Sequence, residues 1–311
     1  MKILITGVHG FVGSNLVEAL KKEHTIYGLD IISPQKDGVR FTFGWDFLDK
    51  PGEIPEIDAI IHLAGKAHDT KNQSAADVYF KVNTGLTQKI FDWFLAQPSC
   101  KKFVFFSTAK AAADKVDGVL TEDVVPSPVG PYGESKIAAE KYIQEHMPTD
   151  KHVYIFRPCM IHGPGNKGNL NLLYNVVKKG IPYPLGAFEN KRTFTSVENI
   201  CFAVNGVLTK DVPSGIYNMG DDEALSTNEL IEEICKSLDK RAHIWRLPKG
   251  LMNGVAKVGG WLHLPLNPER LRKLTENYIS SNEKIKKALG VDKMPVDART
   301  GLQATLKSFK N

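Results

Sequence analysis

Cysteine is scarce: Cys100, Cys159, Cys201 and Cys235 are the 4 in 311 residues, far apart and with no C-x-x-C pair. That excludes a disulfide-stapled scaffold and a zinc site built on paired thiolates, and it fits free thiols of a cytosolic protein. Long apolar runs are also missing. No stretch could span a bilayer, and Met1-Lys2-Ile3-Leu4-Ile5 is too short for a signal-peptide core. The expectation is a cytoplasmic protein with no membrane insertion. The formal charge is +5, and no Lys/Arg block is dense enough to suggest a nucleic-acid partner. His62 and His68 lack the i, i+4 spacing of a metal pair, so no metal is expected.

What is present begins at once. Lys2-Ile3-Leu4-Ile5-Thr6 reads as a buried strand, Gly7-Val8-His9-Gly10-Phe11-Val12-Gly13 as a turn, and Leu16, Val17 and Leu20 as the inner face of a helix. Thr25-Ile26-Tyr27-Gly28-Leu29 is a second strand ending on Asp30. Gly7 permits the sharp turn, Gly10 leaves room for a pyrophosphate, and Gly13 lets helix and strand pack closely. The helix N-terminus adds unpaired N–H donors. Asp30 suits the hydroxyls of an adenosine ribose and repels a 2′-phosphate, which favours NAD over NADP. Phe11 and Val12 are expected to pack beneath the dinucleotide.

Strand and helix patterns alternate to about residue 165. Val39 to Phe43, Ala59 to Leu63, Lys102 to Phe106 and Val153 to Phe156 read as strands, the last stopped by Arg157-Pro158. Asp77 to Leu95 reads as one helix with Val78, Val82, Leu86, Ile90 and Phe94 inward, and Tyr132 to His146 as another. The fold class is α/β, a doubly wound parallel (Rossmann) sheet with a smaller mixed α/β substrate-binding domain. The expected division is 1–165 for the dinucleotide, with 191–219 contributing to it, and 166–311 mainly for substrate. Leu251 to Leu266 is apolar and glycine-dotted; Lys257 and the glycines spoil a clean membrane-surface stripe, so packing against the domain is expected.

Tyr132 and Lys136 stand i, i+4 on one helix face. A phenol titrates near about 10, and a neighbouring ammonium would favour the phenolate and make it a usable base. Ser107-Thr108 at an earlier strand end adds a hydroxyl.

Together these residues resemble the extended short-chain dehydrogenase/reductase family, in particular its sugar-nucleotide epimerases and reductases. The resemblance rests on Thr6 to Gly13, Asp30, Asp46-Phe47, His62-Leu63-Ala64-Gly65, Val82-Asn83 and Ser107-Thr108. It continues through Tyr132-Gly133-Glu134-Ser135-Lys136, Arg157-Pro158, Gly163-Pro164-Gly165, Arg192 to Ile200 and Tyr217-Asn218-Met219-Gly220. It implies catalysis by Thr108, Tyr132 and Lys136. It implies NAD contacts from Gly7, Gly10, Phe11, Val12, Gly13, Asp30, Ile31, Asp46, Phe47, Leu63, Ala64, Gly65, Asn83, Tyr132, Lys136 and Pro158. Substrate contacts would come from Thr108, Asn166, Arg192 and Arg270, the arginines holding the diphosphate. The 4,6-dehydratases of the family carry an Asp-Glu pair after the threonine; Ala109-Lys110 stands here, which argues against dehydration. The resemblance therefore implies 4-epimerisation of a UDP-hexose or UDP-N-acetylhexosamine in a homodimer pairing helices 77–95 and 132–146. The alternatives are an NAD(P)H-dependent 4-ketoreductase of the UDP-N-acetylquinovosamine type and a non-catalytic nucleotide-binding regulator. His162, where the family often has an aromatic residue, is expected to be a packing residue.

Overall fold

The computed structural model describes residues 1–49, 55–66, 75–166, 168–262 and 266–310; His68 lies outside them. In chain order the elements are β1 (Lys2–Thr6), α1 (Phe11–Leu20), β2 (Thr25–Leu29), β3 (Val39–Phe43), a 3₁₀ turn (Trp45–Asp49), β4 (Ala59–His62) and α2 (Ala76–Tyr79). A π-helical segment (Phe80–Gly85) leads into α3 (Leu86–Ala96), followed by β5 (Lys102–Phe106), α4 (Ala109–Ala112), β6 (Val119–Leu120) and α5 (Pro131–Glu145). The second half adds β7 (His152–Pro158), β8 (Met160–His162), α6 (Asn169–Lys178), β9 (Arg192–Ser196), α7 (Val197–Thr209), β10 (Gly215–Met219) and β11 (Ala224–Leu225). It ends with α8 (Thr227–Ser237), α9 (Lys249–Trp261), α10 (Pro268–Thr275), β12 (Ile279–Ser280), α11 (Glu283–Leu289) and α12 (Ala298–Ser308).

Seven strands form one parallel sheet in the order β10-β7-β5-β4-β1-β2-β3. Successive strand side chains point to opposite faces, so each strand feeds two cores. Ile3, Ile5, Val104 and Phe156 meet α1, α7 and α11 on one face, through Leu16, Val17, Ile200, Val204, Ile285 and Leu289. Leu4, Ile60, Phe103, Phe105 and Ile155 meet α3 and α5 on the other, through Ile90, Phe91, Phe94, Ala139 and Ile143. Coverage on both faces is why the strands read as unbroken apolar runs. The strand order reverses between β1 and β4, and the crevice at such a switch point is where α/β sheets hold ligands.

A second sheet, β11-β9-β8, is mixed: β8 and β9 run parallel, and β11 antiparallel to β9. It packs with α6, α8 and α12 through Leu170, Tyr174, Phe194, Leu230, Ile234 and Leu302. Within 191–219, α7 and β10 join the large sheet and its core, whereas β9 belongs to the small sheet. Conversely α11, from the last third of the chain, packs on the large core.

Two expectations change, and a third, that α9 packs against the domain, holds for one of its arcs. Arg157 and Pro158 do not follow β7 but are its last two residues, paired with Asn218 and Met219. The helix at 77–95 is not uniform. Its π segment accommodates an extra residue, and the buried row becomes Tyr79, Asn83, Thr87, Ile90 and Phe94, leaving Val78 exposed. Finally, α9 buries only Met252, Ala256 and Gly259, against Leu185 and Leu271, while Leu251, Val255, Val258 and Trp261 stay exposed. Among the described residues no helix is long and apolar enough to cross a membrane, and no cluster of His, Cys, Asp or Glu could hold a metal.

Candidate active site

At the switch point the first turn is built on close backbone approaches. Gly7 has φ +68°, a left-handed conformation that favours glycine, and a Cβ on it would lie 3.1 Å from the Ala64 nitrogen. A Cβ on Gly13 would lie 2.4 Å from the Gly7 carbonyl oxygen and 2.9 Å from Val8 Cα. Thr6 Oγ1 accepts from the Leu63 and Ala64 N–H groups at 3.1 and 2.9 Å, which ties the end of β1 to the loop after β4. The N-cap of α1 is Gly10, with no side-chain cap, so the first turn of the helix offers backbone donors to an anion.

Asp30 ends β2 beside this turn. Its Oδ2 accepts from the His9 backbone N–H at 3.1 Å and lies 3.3 Å from His9 Nδ1; its Oδ1 accepts from the Ile31 N–H at 2.8 Å. His9 Nε2 reaches the Pro34 carbonyl at 3.2 Å. The His9 side chain thus holds the acid in place, a role its position in the glycine loop did not reveal. Ile31 is 86% exposed. Asp46 begins the 3₁₀ turn after β3, and the Phe47 ring enters the core against Phe43 and Trp93. Val12 packs on the first core, and Asn15 Nδ2 donates to the Phe11 and Pro164 carbonyls, joining the turn to the Gly163–Gly165 loop. Room for a pyrophosphate where Cβ atoms are missing, uncapped helix donors and a fixed carboxylate fit a dinucleotide with a free ribose diol.

Next along the sheet, β5 ends at Ser107 and Thr108. Thr108 caps α4, its Oγ1 accepting from the Lys110 N–H at 3.3 Å, and its hydroxyl hydrogen-bonds the Tyr132 side chain. Tyr132 sits at the start of α5, opened by Gly130 (φ +84°) and by Pro131 at the first helical position, where no N–H is needed. Its ring meets Tyr79 edge-on at 6.4 Å.

Lys136 is buried one turn later, donating to the Phe106 carbonyl at 2.9 Å, beside Gly65. Burial pushes its ammonium down to about 8, against the pull of Glu140. Burial raises the Tyr132 pKa, and the opposing effect is the Thr108 hydrogen bond.

Asn83 and Glu140 complete the frame. Asn83 Oδ1 accepts from the Lys66 N–H at 2.7 Å, and its Nδ2 donates to the Lys66 carbonyl and to Ser135 Oγ. It therefore pins the Gly65 loop to α5. Glu140, one further turn along α5 from Lys136, is fully buried. It accepts from Ser107 Oγ, from Arg157 Nε at 3.1 Å to both oxygens and from Arg157 Nη2 at 2.6 Å. The Ser107 bond ties the end of β5, and the Arg157 ion pair ties β7, to the helix carrying Tyr132. The sequence reading overlooked Glu140; the signal was Tyr132, Lys136 and Glu140 in steps of four.

The remaining predicted residues, Pro158 apart, lie on the second sheet's side. Pro158 is buried at the end of β7. Asn166 folds back on its own loop, donating to the Ile161 carbonyl at 2.9 Å and accepting from the Gly168 N–H. Arg192 donates to the Lys273 and Glu276 carbonyls at the C-terminal end of α10, the helix carrying Arg270. Lys110 turns to the Asp114 side chain at 3.0 Å and lies over the Tyr278 ring. Burial alone would raise the Asp114 pKa, but the Lys110 hydrogen bond and nearby Lys273 and Arg272 hold it below the usual range. His162 is buried between Asp221 (3.5 Å) and Thr305 Oγ1 (2.9 Å), a packing and cross-linking position.

Comparison with known proteins agrees with this geometry. Residues 3–220 match the model of the NAD dependent epimerase/dehydratase family. A UDP-glucose 4-epimerase of Vibrio cholerae is 32% identical over 264 residues, 79% of this chain and 78% of that protein. An N-acetyl-alpha-D-glucosaminyl-diphospho-ditrans,octacis-undecaprenol 4-epimerase of Escherichia coli O157:H7 is 27% identical over 295 residues, covering 92% and 84%. The crystal structure of UDP-glucuronic acid 4-epimerase from Bacillus cereus with NAD has the same fold, with a TM-score of 0.75 at 21% identity over 100% of this chain and 99% of that one. With the family model matched over residues 3–220 and a relative 32% identical over most of its length, the chain belongs to the NAD-dependent epimerase/dehydratase family.

Proposed function

We propose that this enzyme is an NAD-dependent 4-epimerase of a UDP-hexose or UDP-N-acetylhexosamine. The observation that carries the reading is the Thr108–Tyr132 hydrogen bond, with Lys136 one helical turn away, beside the dinucleotide turn. When bound, NAD supplies a nicotinamide that accepts a hydride from C4 and returns it. Tyr132 takes the proton of the C4 hydroxyl at its phenol oxygen and gives it back at the end of the cycle. Thr108 holds the same oxygen as it becomes a carbonyl, and Lys136 supplies positive charge behind the phenol. Gly7, Gly10 and Gly13 admit the pyrophosphate, Asp30 selects the unphosphorylated ribose, and Arg192 with Arg270 receives the sugar-nucleotide diphosphate.

The absence of a carboxylate at Ala109-Lys110 supports epimerisation over dehydration. The named V. cholerae and E. coli relatives, both 4-epimerases, support the choice over a ketoreductase. The reading places the enzyme in the cytoplasm as a homodimer through α2, α3 and α5. The exposed Val78 and Phe80 on that surface support the pairing. Its dinucleotide half is 1–165 with the sheet-forming part of 191–219, and its substrate half the rest.

The test is incubation of the purified protein with UDP-glucose and with UDP-N-acetylglucosamine, without added cofactor, followed by NMR of the C4 configuration. Tyr132→Phe should keep its NAD and lose turnover. If no epimer forms while NADH is consumed on a 4-keto sugar nucleotide, the epimerase reading fails.

A further inference from the structure

Helix α9 leaves an apolar face uncovered. At 100° per residue, Leu251, Val255, Val258, Trp261 and the following Leu262 fall within an arc of about 120°. Trp261 is 80% exposed and the other four are between 47% and 55% exposed. Met252, Ala256 and Gly259 lie on the adjoining arc and anchor the helix to Leu185 and Leu271, so the exposed face is held rigidly outward.

The segment of chain that carries it is basic. Residues 240–274 carry 8 Lys or Arg (Lys240, Arg241, Arg246, Lys249, Lys257, Arg270, Arg272, Lys273) against the single acid Glu269. All 8 are exposed. The rest of the chain has 32 basic and 34 acidic residues, so the whole positive excess of the protein resides in this one segment.

We propose that α9 and its basic surround form a docking surface for an anionic lipid bilayer, on which the protein sits peripherally. A rigid helix with Leu, Val and Trp outward and Lys and Arg at its margins has the composition of an interfacial helix. A protein partner would meet the apolar residues equally well, but the net positive charge of this segment, with Arg246, Lys249 and Lys257 on or just before α9 and Arg272 and Lys273 paired to Asp114, Glu276 and Glu269, complements a surface of phosphate headgroups. Arg192 reaches the end of α10, against which α9 packs, so the docked face borders the side of the molecule assigned to substrate. Adsorption is independent of the catalytic reading.

The test is co-sedimentation of the full-length protein with vesicles of phosphatidylcholine alone and of phosphatidylcholine with phosphatidylglycerol. Binding is expected only to the second, and it should weaken with salt. Val255→Glu combined with Val258→Glu should lower vesicle partitioning by about tenfold or more. Arg246→Glu and Lys257→Glu should each lower it by about fivefold or more. All are surface substitutions, and circular dichroism melts should match the parent. Tyr132→Phe should bind vesicles normally, which separates this inference from the assignment of the base. No binding to the anionic vesicles at low salt overturns the proposal, as does binding that the Val255/Val258 variant retains. So does dissociation of an oligomer by that variant in sedimentation velocity, since the face would then be covered by a second copy.

Discussion

The strongest single test of the site's frame is Glu140→Gln. The substitution keeps shape and removes charge. Glu140 is 0% and Arg157 1% exposed, so the pair has no access to screening water. Three of the four acceptor contacts to Glu140 come from Arg157, and Arg157 Nη1 already has no partner among the described residues. A neutral amide would leave the guanidinium charge buried and uncompensated and would turn an N–H₂ group toward donors. Breaking a buried pair in this way costs about 3–5 kcal/mol. With a urea slope of about 3 kcal/mol/M, the midpoint should fall by about 1–1.7 M.

Activity should fall as well. Ser107 loses its anionic acceptor, and the strand end carrying Thr108 is no longer locked to the helix carrying Tyr132. A shift of about 1 Å there lowers turnover by up to about a hundredfold. A companion double variant, Glu140→Leu with Arg157→Met, isolates the cause. Replacing both charges with apolar side chains should restore most of the stability but not the activity. A Glu140→Gln protein within about 0.5 kcal/mol of the parent, the scatter of ordinary surface changes, would refute the argument.

His62 predicts a pH dependence. Its ring is buried between Thr6 Oγ1 (2.7 Å) and Thr87 Oγ1 (3.0 Å), and burial with Lys136 nearby holds its pKa well below the ordinary 6.5. The unfolded chain therefore takes up a proton first, and stability present above pH 6.5 is lost as pH falls. The stability gap between the parent and His62→Gln should narrow by about 1.4 kcal/mol per pH unit below that value, and parallel curves in urea melts would contradict it. Gly13→Ala places a methyl 2.4 Å from the Gly7 carbonyl, where only backbone can move. It should cost about 1–3 kcal/mol and abolish NAD retention, read by absorbance of the released nucleotide; retained NAD would mean the turn is looser than described.

The opening strand, turn and helix were legible because each depends on neighbours in the chain. Gly7, Gly10 and Gly13 act within seven residues, and Asp30 is delivered by the next strand. The buried strands were legible for a similar reason, since burial on both faces leaves an unbroken apolar run. Tyr132 and Lys136 announced themselves by helical spacing. Long-range partners did not. Glu140 has no meaning until β7 brings Arg157 beside it, and the π segment turns Asn83 and Thr87 inward only because Lys66, Ser135 and His62 wait there with complementary hydrogen-bonding groups.

By itself, then, the sequence determined the doubly wound sheet, the cofactor turn and the phenol–amine pair, all set by local periodicity and by residue types that admit one backbone geometry. Only the tertiary structure decided that β9 leaves the large sheet, that α11 returns to it, that Lys136 bonds a carbonyl while Thr108 meets the phenol, and that one arc of α9 remains outside. Those outcomes depend on which buried polar group finds a partner and which apolar face finds cover, and both are settled by segments tens to hundreds of residues apart.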